Sequence, residues 1–230
     1  MRPAGTTTLF LALAFVIASA PALRAQDLSV YRQFHIGMTA TAATAQIGVP
    51  ESAATTIHTH PLLIQELEWA PPGSPSTFEP DSVQLVLLDF CNGKLFRIVV
   101  RYRGERVEGL TEQDMVTAIS AAYGQPTRPT ARIITSELST RWTDAEPVIA
   151  RWEDTSVSAN LFRTSYPSSY GLVIFSRRVA PLARAAIDKA ILVERADAPR
   201  REAAEQKARD DSEAATHAKA RLANKAAFKF

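Results

Sequence analysis

Val83 to Tyr102 reads VQLVLLDFCNGKLFRIVVRY, two apolar runs divided by Asn92-Gly93. Asn-Gly between such runs is the strongest short-range sign of a two-residue type I′ hairpin, whose two central residues both need positive φ. That turn sets Cys91 opposite Lys94. Uninterrupted pairing then carries Leu87 to Ile98, Leu85 to Val100 and Val83 to Tyr102, an apolar face expected to cover a helix. The other face takes Gln84 with Arg101, Val86 with Val99, Leu88 with Arg97, and Phe90 with Leu95. A strand pair turned only to water alternates more cleanly than this. Apolar residues mixed with arginine are enriched at protein interfaces. Val86, Leu88, Phe90, Leu95, Arg97, Val99 and Arg101 are therefore the expected contact face for a protein partner, extended by Leu172 and Ile174. The competing reading is that another element, the helix starting near Pro181, covers the same face. Cys91, beside the turn, is expected to be solvent-accessible.

Outward from the hairpin, one outline occurs twice. HIGMTATAATAQIGVP (His35 to Pro50) and EGLTEQDMVTAISAAYGQP (Glu108 to Pro126) both run Gly-apolar-Thr, a short helical stretch, then Gly-x-Pro. Counted from the first Gly to the Pro, the second (Gly109 to Pro126) is four residues longer than the first (Gly37 to Pro50), about one helical turn. Thr111 with Asp114 has the form of a capping box, Gly124 ends the helix and Pro126 prevents its resumption. Strands are expected near 148–153, 157–164 and 170–177, with LLIQELEW and ARIITSEL supplying one before each hairpin. APPGSPSTFEP (Ala70 to Pro80) reads as a loop. The fold class is α+β: two tandem copies of a helix followed by three to four antiparallel strands, with the helices on one face of the sheet, plus a C-terminal helical or partly disordered tail. The division is 1–25 signal peptide, 26–105 first repeat, 106–180 second repeat and 181–230 tail.

The chain opens with Arg2, an apolar run from Leu9 to Ala20, and a small-residue exit, with no acid before Asp27. That is the order of a secretory signal peptide, too short in its apolar part to span a bilayer. Cleavage is expected after Ala25, with Ala22 as the alternative, leaving an exported (periplasmic or secreted) protein. Residues 1–25 contain two of the 26 basic residues and none of the 24 acids, so the remainder is formally neutral and nothing points to nucleic acid. One cysteine excludes an intramolecular disulfide. From Glu194 onward the chain is Ala-rich and charged with both signs. A helix polar all round has no face to bury, so the tail is expected to be dispensable for folding. Pro199 is expected to break or kink it. Lys219, Arg221, Lys225 and Lys229 follow the last acid, giving a cationic tip suited to an anionic envelope surface.

Gly37-Met38-Thr39, Ile47-Gly48-Val49-Pro50, Gly109-Leu110-Thr111, Tyr123-Gly124-Gln125-Pro126 and the Asn92-Gly93 hairpin together resemble tandem modules of the β-lactamase-inhibitor-protein-like superfamily. The single unit is similar to small outer-membrane assembly lipoproteins of the SmpA/OmlA (BamE) type. The chain lacks the lipoprotein cysteine and the cysteine pairs of the inhibitor modules. The resemblance implies a non-enzymatic binding module whose sheet contacts protein.

Catalytic signals are sparse. His58-Thr-His60 could set two imidazoles on one side of a strand, with Glu66 as a third ligand, and this supports the alternative of a metal-dependent or hydrolase-like secreted enzyme. No phosphate loop, Ser/His/Asp grouping or carboxylate pair stands out, and no cofactor is expected. Trp69, Trp142 and Trp152 are expected to pack in the core or at sheet edges.

Overall fold

The computed structural model describes residues 27–71, 81–135, 145–165, 168–227 and 229. The expected signal segment, most of the Pro/Gly/Ser loop and Trp142 lie outside these residues. Along the chain run β1 (Val30–Tyr31), β2 (Phe34–His35), α1 (Ala40–Ile47), a 3₁₀ turn (Glu51–Ala53), β3 (Thr55–His58), β4 (Ile64–Trp69), β5 (Val83–Cys91) and β6 (Lys94–Tyr102). Then come α2 (Gly104–Val107), α3 (Glu112–Tyr123), β7 (Arg132–Ile134), β8 (Ala145–Glu153), β9 (Val157–Ser165), β10 (Ser168–Ser176) and α4 (Val179–Ala227). The architecture is α+β, with one large antiparallel sheet and a long C-terminal helix. Eight strands form that sheet in the order β3-β4-β5-β6-β10-β9-β8-β7, and β1-β2 make a separate ribbon. With the ribbon counted, the first unit holds six strands among the described residues, which departs from the expected three or four per unit. β3 and the ribbon gave no sign in the sequence, being short and without alternation.

Both expected helix starts are capped. Thr39 accepts a hydrogen bond from the Ala42 amide, and Thr111 and Asp114 exchange the two bonds of a capping box. The acceptor role of Asp114 toward the Thr111 hydroxyl and amide holds its carboxyl below the usual range. Gly48 closes α1 at φ +71°, with the Val49 amide reaching back to the Thr44 carbonyl, a left-handed exit that an L-residue adopts at a cost.

Asn92 and Gly93 both have positive φ, as a type I′ turn requires. Near the turn and at the far end the pairing is the expected one: Cys91 faces Lys94, Phe90 faces Leu95 and Val83 faces Tyr102. Between them it slips by one. Irregularities lie between Val83 and Leu85 and between Asp89 and Phe90, so Leu87 faces Val99, Leu88 faces Ile98 and Asp89 faces Arg97. Each bulge exchanges the two faces of a strand relative to its partner. Val86, Leu88 and Phe90 therefore join Ile98 and Val100 in the main core, together with Met38, Ala43, Met115 and Val116 from the α1 and α3 segments. The expected alignment of Leu85 and Leu87 with that core is corrected accordingly: Leu87 belongs to a second cluster with Val99, Phe162 and Val173.

The opposite face is covered as well. Ala183 and Ile187 of α4 pack against Ile64, Cys91 and Phe96 at its turn end, and Ile133 of β7 lies against the second cluster. Helices on one face only was the expectation; α4 takes the other side because its first turns carry small residues that fit closely to a sheet. Pro199 does not interrupt α4. It removes one backbone donor, and in an exposed helix water can serve the freed carbonyl.

Candidate functional site

The nine positions expected to form a contact face do not share one. Val86, Leu88, Phe90, Leu95, Leu172 and Ile174 all belong to the main core. Val99 is in the second cluster, and Arg97 is buried beside it. Arg101 alone keeps partial exposure, and its guanidinium donates to the Thr135 carbonyl. A side chain without solvent-accessible area presents nothing to a partner, so these buried positions form no exposed face in this structure.

Across the slipped register Glu66, Asp89 and Arg97 stand in one row on β4, β5 and β6. Asp89 is fully buried; its Oδ2 accepts from Arg97 Nε, while Oδ1 has no partner atom. Burial pushes the Asp89 carboxyl up, and Arg97, by charge and hydrogen bond, pulls it part of the way back. Arg97 also donates to the Ile134 carbonyl at 3.5 Å, tying the short β7 over this face. The arrangement suits a structural clamp, since Asp89 is wholly buried and Arg97 nearly so.

The histidines are separated. His58 is buried at the end of β3, with Nδ1 2.9 Å from Glu194 Oε1 on α4. His60 is exposed in the following bend, Nδ1 3.0 Å from the Thr59 hydroxyl. Glu66 pairs with Thr55 and Asp89 within the sheet. Among the described residues no group of three or more His, Cys, Asp or Glu side chains is placed to hold a metal ion. The imidazole–carboxylate contact instead fixes the point at which α4 leaves the body.

Two features stand out as places that could meet another molecule. One is α4 beyond its docked start. Ala183, Ala186, Ile187 and Ala190 are buried, whereas Leu192 (65% exposed), Val193 and Leu222 (72%) face solvent. From Leu192 to Ala227 every residue is exposed except the half-buried Ala198, a rod of about 50 Å at 1.5 Å per residue. The other is a cleft of about 800 Å³ between the hairpin turn, the β1-β2 ribbon, the β8-β9 turn and the first turn of α4. Cys91 lines it but is buried, against the expectation of an accessible thiol, and burial pushes that thiol up. Stacked against Ile64 and Phe96, it is a small hydrophobic residue of the α4 junction.

The tail's solvated character could be read from its composition. The cleft could not, because its walls come from five separate segments whose only common sign is the absence of acids. Trp152 is buried with Nε1 donating to the Gly124 carbonyl, and Trp69 meets Phe34 edge to face, the packing roles expected of both. No protein-family model, curated protein or solved structure matches the chain.

Proposed function

We propose that this protein is an exported, non-enzymatic binding module in which the sheet is the scaffold and α4 is the arm that contacts a protein or cell-envelope partner. The observation that carries the reading is the exposed course of α4 from Leu192 to Ala227. A helix this long is anchored at one end by a buried face and by the His58–Glu194 contact, and then runs exposed apart from the half-buried Ala198. In proteins helical stability comes mainly from tertiary packing, so an arm kept free of the body is suited to packing on something else. Its last acid is Glu213, and Lys219, Arg221 and Lys225 follow, which favours an anionic partner at the tip.

The scaffold itself is proposed to be a duplicated unit. In each half a capped helix precedes four strands, and the sheet order β3-β4-β5-β6 is mirrored by β10-β9-β8-β7 about the β6-β10 pair. That mirror order supports the tandem reading of 26–105 and 106–180 and the resemblance to tandem inhibitor-like modules. The first 25 residues are proposed to be the export signal.

The test compares the whole chain with one ending at Glu194. Both are incubated with envelope extract, cross-linked and recovered. The arm reading expects one specific partner with the whole chain and its loss on truncation, with the thermal midpoint unchanged. Equal recovery by both chains would place the contact on the body and refute it.

A further inference from the structure

We propose that the cleft beside the hairpin turn binds a small amphipathic carboxylate, an acyl chain with a free anionic head. Its volume, about 800 Å³, falls in the range of small-molecule sites, which are mostly apolar with a few placed polar groups. Leu95, Phe96 and Val157 form an apolar floor, and Leu182 of α4, 62% exposed, stands on the wall. The charged lining is of one sign. Lys94 and Arg178 are the only charged side chains among the described residues of the cleft, and neither has a carboxylate partner there. Cys91 adds no negative charge, because burial disfavours its thiolate.

Unpaired cations over an apolar floor complement one ligand chemistry. A carboxylate head would meet Lys94 and Arg178, and the chain would lie over Phe96 and Leu182, removing exposed apolar area from water. A neutral amphiphile would leave the cations unsatisfied, and a cationic one would be repelled. The site uses none of the exposed part of α4, so it stands or falls independently of the arm reading.

The probe is decanoate, titrated into the whole protein below its aggregation concentration by calorimetry, with decanol, a decyl-trimethylammonium salt and anionic phospholipid vesicles as contrasts. Saturable one-to-one binding of decanoate is expected, at least tenfold tighter than decanol, with none for the ammonium salt. Lys94→Gln with Arg178→Gln should weaken decanoate at least tenfold while leaving decanol and the thermal midpoint unchanged, since both positions are exposed. Leu182→Gln should weaken decanoate and decanol alike. Bound decanoate should also slow the labelling of Cys91. Equal affinity for decanol, an unchanged affinity in the double charge variant, or binding to vesicles without binding to free decanoate would overturn the proposal.

Discussion

Removing Arg97 while leaving Asp89 in place should cost the fold about 3–5 kcal/mol, the usual range for a buried ion pair stripped of one partner. Arg97→Met keeps most of the aliphatic stem, so the loss is a carboxylate without compensation rather than a cavity. Asp89 can answer only by taking a proton, because its Oδ1 already lacks a partner and Oδ2 would lose Arg97. Burial holds the folded-state carboxyl above its unfolded value, and Arg97 opposes that shift. Deleting Arg97 raises it further. A carboxyl raised in the folded state favours folding below its unfolded pKa, and the benefit is lost as pH climbs toward the folded value, by about 1.4 kcal/mol per unit. The deficit of Arg97→Met relative to the parent should therefore be smaller at an acidic pH than at an alkaline one. Urea unfolding followed by circular dichroism at the two pH values measures the difference. Asp89→Leu combined with Arg97→Met should recover most of the loss, except for about 1 kcal/mol from the bond to the Ile134 carbonyl. A deficit independent of pH, or a double variant no better than the single one, would refute the reasoning.

Gly171→Ala should destabilise by about 1–3 kcal/mol as an overpacked site: a Cβ there would lie 2.2 Å from the Phe162 ring and 2.6 Å from the Val100 carbonyl oxygen, and a thermal scan reads the loss. Cys91 should react with a thiol reagent far more slowly in native protein than in denaturant, because it is buried under α4; equal rates would mean that the α4 junction opens freely. Ending the chain at Glu194 should move the thermal midpoint by no more than a couple of degrees, whereas ending it at Arg178 exposes Ile64 and Phe96 and should cost several kcal/mol by lost apolar burial. Thr111→Ala should cost about 1 kcal/mol through the lost cap, measured by the same urea titration.

Local chemistry was legible in the sequence wherever one residue type has one use. Asn92-Gly93, the Thr39 and Thr111 caps and the exits at Gly48 and Gly124 were placed from sequence because few residues tolerate those dihedrals or donate those caps. The Ala-rich charged tail was likewise readable as solvated, since it has nothing to bury, but its course as one helix through Pro199 was not. What escaped was anything decided by both faces of the sheet at once. Val83 to Leu88 is almost continuously apolar, as strands buried on both sides are. Period two then carries no information about which residue faces which layer. A contact surface deduced from that period mixed core residues such as Leu88 with the buried pair-former Arg97. The cleft escaped for a different reason: its walls come from segments far apart in the chain.

Where the apolar pattern is silent, the charges select the register. Uninterrupted pairing from the Asn92-Gly93 turn would set Leu88 against Arg97 and Asp89 against Phe96, burying two charges against apolar neighbours. The bulge at Asp89/Phe90 brings Asp89 opposite Arg97 instead, which satisfies both and commits Val86, Leu88 and Phe90 to the main core. A buried ion pair that contributes little net stability can still specify one arrangement over its neighbour. The double variant Asp89→Leu/Arg97→Met therefore carries a second expectation, separate from its stability. With apolar residues at every position, the slipped and unslipped hairpins become close in energy, and β5 and β6 should populate both. Backbone amide spectra should show duplicated or broadened resonances from Val83 to Tyr102 and sharp single ones in β8 and β9. A single sharp set throughout the hairpin, with the parent's cross-strand contacts between Leu88 and Ile98, would show that side-chain packing alone fixes the register and that the charges do not.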